Sequence, residues 1–244
     1  MRVFLQAMNS TSSNSYNVAN ANSGFSKMGF ETIFFNSLSE LSCCDKSDIV
    51  VGGVGTIHSH LLNLGIEVPN IDYPIELGNY LGRRVWSTFF DEVCKNSDSW
   101  PVFVKSFNQK EFTGFVVNNS MDLLKASCSE TTPVWCSEIV NFKAEWRCFV
   151  RYGKVIDVRR YNGDWRLNFD YKVVENIVKD YENCPKGCAI DIGVTDSGKT
   201  LLIEVNDGYA LGSYGLNCID YAKLLSARWS ELTNTEDLCA FDIM

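Results

Sequence analysis

The sequence predicts a small α/β unit of Rossmann type followed by an α+β domain rich in antiparallel hairpins. Two observations carry this. The first third alternates short apolar runs with helical stretches, the βαβ pattern of a parallel sheet. Past the turn-rich break Asn96-Ser97-Asp98-Ser99-Trp100-Pro101, the apolar runs become strand-like and closely spaced. A chain of 244 residues, 45% hydrophobic and 21% charged, holds one large domain or two smaller ones with real cores.

In chain order, Val3 to Ala7 reads as a strand, Asn9 to Ser15 as a polar loop, and Tyr16 to Met28 as a helix. Glu31 to Phe35 and Asp48 to Gly52 are further strands, and a helix and a short strand at Gly65 to Val68 follow. Asn79 to about Val93 has a helical pattern. Beyond the break, strands are expected at Val102–Lys105, Phe115–Val117, Trp135–Val140, Glu145–Arg151, Lys154–Tyr161, Ala189–Val194 and Thr200–Val205. Helices fit Met121–Ser127, Asp170–Glu182 and Cys218–Leu232.

A net charge of -8 and a pI near 4.9 argue against general affinity for nucleic acid or anionic membrane. The N-terminal stretch has no signal-peptide core, and no apolar run approaches the roughly 20 residues that span a bilayer. Ten cysteines in such a chain point to reduced thiols and a cytoplasmic location. Cys184 and Cys188 with His58 and His60 would make a loose zinc set, without a second cysteine pair. The run Gly52-Gly53-Val54-Gly55-Thr56-Ile57-His58 invites a dinucleotide reading and an oxidoreductase. It has His58 where the third glycine belongs.

The chemistry concentrates in the second part. Asp196-Ser197-Gly198-Lys199 is a turn signal joining the strand from Ala189 to the strand from Thr200. Pairing Thr195 with Thr200 sets Asp191 opposite Glu204, and alternation puts Leu202, Glu204 and Asn206 on one face. Opposed carboxylates with Cβ atoms about 5 Å apart repel. A cation between them resolves this, and hard oxygen donors suit magnesium with phosphates. A solvated hairpin face, or one protonated carboxyl, remains the plain alternative.

Phosphates call for cations. Lys105 ends a strand, and Lys110 follows in the loop Ser106 to Thr113, a flap over phosphates or an ordinary surface hairpin. Farther on, a Tyr152-Gly153 turn pairs Arg151 with Lys154. It sets Glu145 opposite Arg160 and Arg147 opposite Val158, so that Glu145, Arg147 and Arg160 share a face. Taken alone, that is a solvated cross-strand salt bridge worth under about 1 kcal/mol.

These pieces in this order resemble the ATP-grasp ligases over nearly the whole chain. The E-x-R form of Glu145-Trp146-Arg147, the pair Arg159-Arg160 and the ending from Glu204 to Gly215 resemble the clade named for two arginines and a lysine. That clade includes many phage and bacterial proteins. The resemblance implies that Lys105 and Lys110 contact the nucleotide phosphates and that Glu138-Ile139-Val140 meets adenine through its backbone. It further implies that Glu145, seven residues on, holds the ribose, and that Asp191, Glu204 and Asn206 bind magnesium. Residues 1–85, with Tyr73 to Trp86 leading out of them, resemble a pre-ATP-grasp domain. Residues 86–244 would be the ATP-grasp domain, in an N-terminal lobe 86–135 and a C-terminal lobe 136–244 that grip the nucleotide.

The implied activity is ATP- and magnesium-dependent ligation of a carboxylate to an amine through an acyl phosphate, whose charge Arg147 and Arg160 offset. The substrates would be a small-molecule or peptide carboxylate and an amine acceptor, the carboxylate sitting near Gly208 to Gly215. The sequence departs from the family in lacking a pronounced glycine-rich phosphate loop. It leaves open which of Arg159 and Arg160 faces the site, and strand register favours Arg160. The other readings are a nucleotide-binding module without turnover and, more remotely, the oxidoreductase.

Overall fold

The computed structural model describes residues 2–8, 13–107 and 112–241. Lys110 and most of the polar loop after the first strand therefore lie outside the described residues. Strand β1 (Arg2–Gln6), helix α1 (Ser13–Lys27), β2 (Glu31–Phe35), β3 (Ile49–Val51) and α2 (Val54–Asn63) open the chain. The three strands form a parallel sheet in the order β2-β1-β3. Gly53 caps α2, and its N–H donates to Gln6 Oε1 at 2.9 Å. A Cβ on Gly52 would meet that same Oε1 at 2.5 Å, so its glycine answers to Gln6 rather than to a pyrophosphate.

Just past the end of α2, Gly65 with a φ of 74° breaks the helical path, and Ile66 N–H returns to the Leu61 carbonyl at 2.9 Å. The expected strand at Gly65 to Val68 does not form, and Pro69 ends the run without a donor. These residues run instead as an irregular strap toward Tyr80. The helical pattern expected from Asn79 also gives way. Only a 3-10 turn (Ile75–Tyr80) precedes β4 (Val85–Phe89), and α3 is confined to Phe90–Lys95. Val85, Trp86, Thr88 and Phe89 favour extended backbone, and β4 pairs along its length with β7.

Strands β5 (Val102–Ser106), β6 (Phe115–Val117) and β7 (Pro133–Ser137) complete an antiparallel sheet in the order β4-β7-β5-β6. The helix expected at Met121–Ser127 is a single 3-10 turn, Asp122–Lys125. Residues 138–141 cross to a second four-stranded sheet. Its strands are β8 (Phe142–Arg151), β9 (Lys154–Gly163), β10 (Gly187–Thr195) and β11 (Thr200–Asp207), in the order β11-β10-β8-β9. Helices α4 (Tyr171–Asp180) and α5 (Cys218–Thr233) cover it.

The parallel sheet is not a separate domain. Val3, Leu5 and Phe25 share one continuous core with Tyr221, Leu225 and Trp229 of α5 and with Phe149 and Ala189 of the second sheet. Three short strands bury too little apolar surface to stand alone, and α5 supplies what they lack. The opposite face of the second sheet, with Trp146, Cys148, Ile190 and Leu202, closes over α4 and the strap residues Tyr73, Leu77 and Leu81. Among the described residues no helix is long and apolar enough to cross a membrane.

Candidate functional site

Three strand pairings set a row of charges across the second sheet. Arg159 on β9 lies opposite Arg147 on β8, Arg147 opposite Asp191 on β10, and Asp191 opposite Glu204 on β11. Directly opposed like charges destabilise a sheet, so each pair needs partners. The buried Arg147 guanidinium donates to both Asp191 oxygens, Nε to Oδ1 at 2.8 Å and Nη2 to Oδ2 at 2.6 Å. Arg159 Nε donates to Asp157 at 2.8 Å.

Asn206 Nδ2 bridges the two acids, 3.1 Å from Asp191 Oδ2 and 3.1 Å from Glu204 Oε1. From the other sheet, Lys105 on β5 brings its ammonium to 2.7 Å from Glu204 Oε2 and also donates to Asp72. Burial alone would push the Glu204 carboxyl up. Lys105, the Asn206 amide and Arg147 outweigh it and hold Glu204 down at about 2. Burial likewise opposes the Lys105 charge, and Asp72 and Glu204 overcome it and raise the ammonium above its ordinary value.

The pairing of Asp191 with Glu204 holds, although the turn differs from the expected one. The hairpin begins with Val194 opposite Thr200, one residue out, and a bulge at Ile203 restores the register at Asp191. The bulge also reverses the faces, so Leu202 joins Val205 in the core rather than Glu204 and Asn206. On β9 two more irregularities overturn the expected register. Glu145 lies opposite Asn162 rather than Arg160, and Arg147 opposite Arg159 rather than Val158. Arg160 pairs with Trp146 on the other face and is exposed.

Glu145 accepts from Tyr161 Oη at 2.9 Å and Asn162 Nδ2 at 2.8 Å. Glu138 is tied to the start of β4, its N–H donating to the Arg84 carbonyl at 3.1 Å and its carboxylate accepting from Arg84 N–H at 2.9 Å. Ile139 is 44% exposed at the crossing between the sheets.

A cleft of about 750 Å³ runs between the sheets. Lys105, Arg147, Glu204 and Asn206 line it, with Asp72 and the backbone-rich stretch Tyr209 to Gly212. Val54, His58 and Leu62 of α2 wall its far end. Among the described residues, Glu138, Ile139, Val140, Glu145 and Asp191 are not in its walls. The loose zinc set is not assembled: no group of three or more His, Cys, Asp or Glu converges for a metal among the described residues. His60 is instead buried and stacked on Trp229 at 6.1 Å.

Sequence reasoning missed Asp72 and Tyr161, and of the flagged pair Arg159-Arg160 it favoured Arg160, whereas Arg159 shares the face of Arg147. Tyr161 stood beside the flagged arginines, and its bulge brings the hydroxyl to Glu145. Nothing local marked Asp72, which meets Lys105 and Val205 only through the fold.

The family model of the ATP-grasp domain, R2K clade family 2, matches residues 80–224, more than half of the chain. The chain belongs to the R2K clade of the ATP-grasp family. Its fold is shared with solved ATP-grasp structures at low identity. A RimK domain protein ATP-grasp from Sphaerobacter thermophilus is 14% identical with a TM-score of 0.58, covering 94% of this chain and 99% of that one. D-alanine–D-alanine ligase from Bacillus anthracis is 16% identical with a TM-score of 0.56, covering 96% of each chain. The ATP-grasp ligase PsnB, complexed with a minimal precursor, is 13% identical with a TM-score of 0.55, covering 93% of this chain and 99% of that one. A comparison with curated proteins returned no match.

Proposed function

We propose that this ATP-grasp protein is an ATP- and magnesium-dependent ligase joining a carboxylate to an amine. The observation that carries the reading is the convergence of Lys105 from one sheet with Glu204, Asn206 and the Arg147–Asp191 pair from the other across one cleft. A cation on one lobe and acids on the other suit a nucleotide whose phosphates reach both. The names of the neighbours, among them a D-alanine–D-alanine ligase and a ligase complexed with a precursor peptide, support carboxylate–amine chemistry.

The donors fit a magnesium ion. Glu204 and Asn206 offer hard oxygens, and the Lys105 ammonium on Glu204 shows that this carboxylate draws a cation. Glu204 and Asn206 are the residues that would hold the ion, Glu204 giving up its Lys105 contact for it, while Asp191, clamped by the Arg147 fork, would orient them through the Asn206 amide. Bound there, the metal would neutralise phosphate charge.

Lys105 would hold the phosphates, helped by Lys110, the Glu138–Val140 backbone would meet adenine at the crossing between sheets, and Glu145 would hold the ribose. A substrate carboxylate oxygen attacks the γ-phosphorus, and the bond to the β–γ bridging oxygen breaks to release ADP. The amine nitrogen then attacks the acyl carbon, inorganic phosphate leaves, and the amine loses a proton. Arg147 and Arg159, on one face, offset the charge of the acyl phosphate, Arg159 in the place first given to Arg160. The carboxylate approaches along Tyr209 to Gly212. Residues 1–85 act as the pre-ATP-grasp part whose α2 closes the substrate end, ahead of lobes at 86–135 and 136–244. All ten cysteines are free thiols, which supports a reducing, cytoplasmic setting.

A screen of amino acids and short peptides for ADP formation, read by mass spectrometry, tests this. ADP and a new amide that both require carboxylate and amine support it. ATP binding without ADP from any pair would make the protein a nucleotide-binding module instead.

A further inference from the structure

We propose that Asp72 is a positioning residue that holds Lys105 in the resting cleft and competes with nucleotide phosphates for its ammonium. Asp72 lies on the strap between the parallel sheet and β4 and ties three parts of the molecule together. Its Oδ1 accepts from Val205 N–H of β11 at 3.1 Å and from the adjacent Tyr73 N–H at 2.8 Å. Its Oδ2 accepts from Lys105 of β5. Tyr73 holds φ at 51°, a region unfavourable for a bulky side chain, and its ring lies 4.4 Å from the Lys105 ammonium and edge-on to Trp135 at 5.1 Å. Trp135 is in turn the strand partner of Lys105 on β7.

Lys105 thus has two carboxylates and an aromatic face for one charge, more than neutrality needs. Glu204 sits where a cation is expected, whereas Asp72 lies on a strap with the 750 Å³ cleft on one side and a second cavity of about 430 Å³ on the other. The Asp72 side chain therefore borders open space on both sides, which leaves room for phosphate oxygens to take over Lys105. Asp72 keeps its bond to Val205 whichever partner Lys105 has, so releasing the ammonium does not release β11.

This rests on the reading of Lys105 as a phosphate ligand, and the experiment separates the two. ADP and adenosine affinities are measured in magnesium-free buffer for the full chain, Asp72→Asn, Lys105→Met and the double variant. Asparagine keeps the acceptor for Val205 and Tyr73 and puts an amide nitrogen, which has no lone pair for the ammonium, where the carboxylate oxygen held Lys105. Asp72→Asn is expected to bind ADP about tenfold more tightly, the size of one charge-assisted contact, with adenosine affinity unchanged. In the Lys105→Met background the gain should vanish. Unchanged or weaker ADP binding, an equal change for adenosine, or the same gain without Lys105 would overturn the proposal. ADP binding that is indifferent to Lys105→Met sinks the phosphate-ligand reading itself. If Asp72→Asn fails to melt cooperatively, Asp72→Ser is subjected to the same comparison.

Discussion

The Lys105 ammonium lies 2.7 Å from the Glu204 carboxylate and so joins a strand of one four-stranded sheet to a strand of the other. Both side chains are largely buried, which lifts the pair above an ordinary surface bridge. A double-mutant cycle with Lys105→Met and Glu204→Gln, read by urea denaturation, should give a coupling of about 1–3 kcal/mol. Additive effects would mean that the two sheets are held in register by other contacts.

The Arg147–Asp191 pair should be intolerant of half-removal. Arg147 is 5% exposed and Asp191 1%, and the two make a bidentate pair. Asp191→Ala leaves a buried guanidinium without its acid and should cost about 3–5 kcal/mol. Arg147→Lys cannot reproduce the fork, so it should lose turnover even where the melting curve recovers.

Arg159 and Arg160 should separate cleanly. Arg159→Ala removes a charge from the face that carries Arg147 and Asp191 and should lower kcat by about tenfold or more, a typical loss for one electrostatic stabiliser. Arg160→Ala, on the exposed opposite face, should leave kcat within about twofold and stability within about 0.5 kcal/mol.

That contrast shows where the sequence was legible. Hydrophobic alternation located most strands of the second sheet, and a turn signal brought Asp191 opposite Glu204. The pairing survived only because a bulge at Ile203 cancelled a one-residue error at the turn. On β9 a bulge at Ile156 moved Arg160 off the face and Arg159 onto it, and no residue pattern there announces a bulge. Strand β4 hid in a stretch whose apolar spacing also fits a helix, and β7 decided the matter. Asp72 is 133 residues from the amide it accepts, a relation that only the fold reveals.

His60 carries a pH dependence with a definite sign. It is 3% exposed, Nε2 has no hydrogen-bond partner among the described residues, and burial lowers its pKa from the ordinary 6.5. Below pH 6.5 the unfolded chain binds the proton more readily than the folded one, so this contribution is intact above pH 6.5 and is lost as pH falls through and below that value. His60→Phe keeps the stack on Trp229 and should flatten the slope of stability against pH between about 5 and 7. A slope unchanged from the parent would mean that His60 is not the group responsible.

The most direct measurement is the melting temperature with saturating ATP and magnesium for the parent, Lys105→Met and Glu204→Gln. At about 100 times Kd the ligand should stabilise the parent by roughly 2.7 kcal/mol, a rise of about 5–10 °C for a chain of this length. The account predicts that rise in the parent and its near-complete loss in both variants. A parent that does not respond, or variants that respond as fully as the parent, would contradict it.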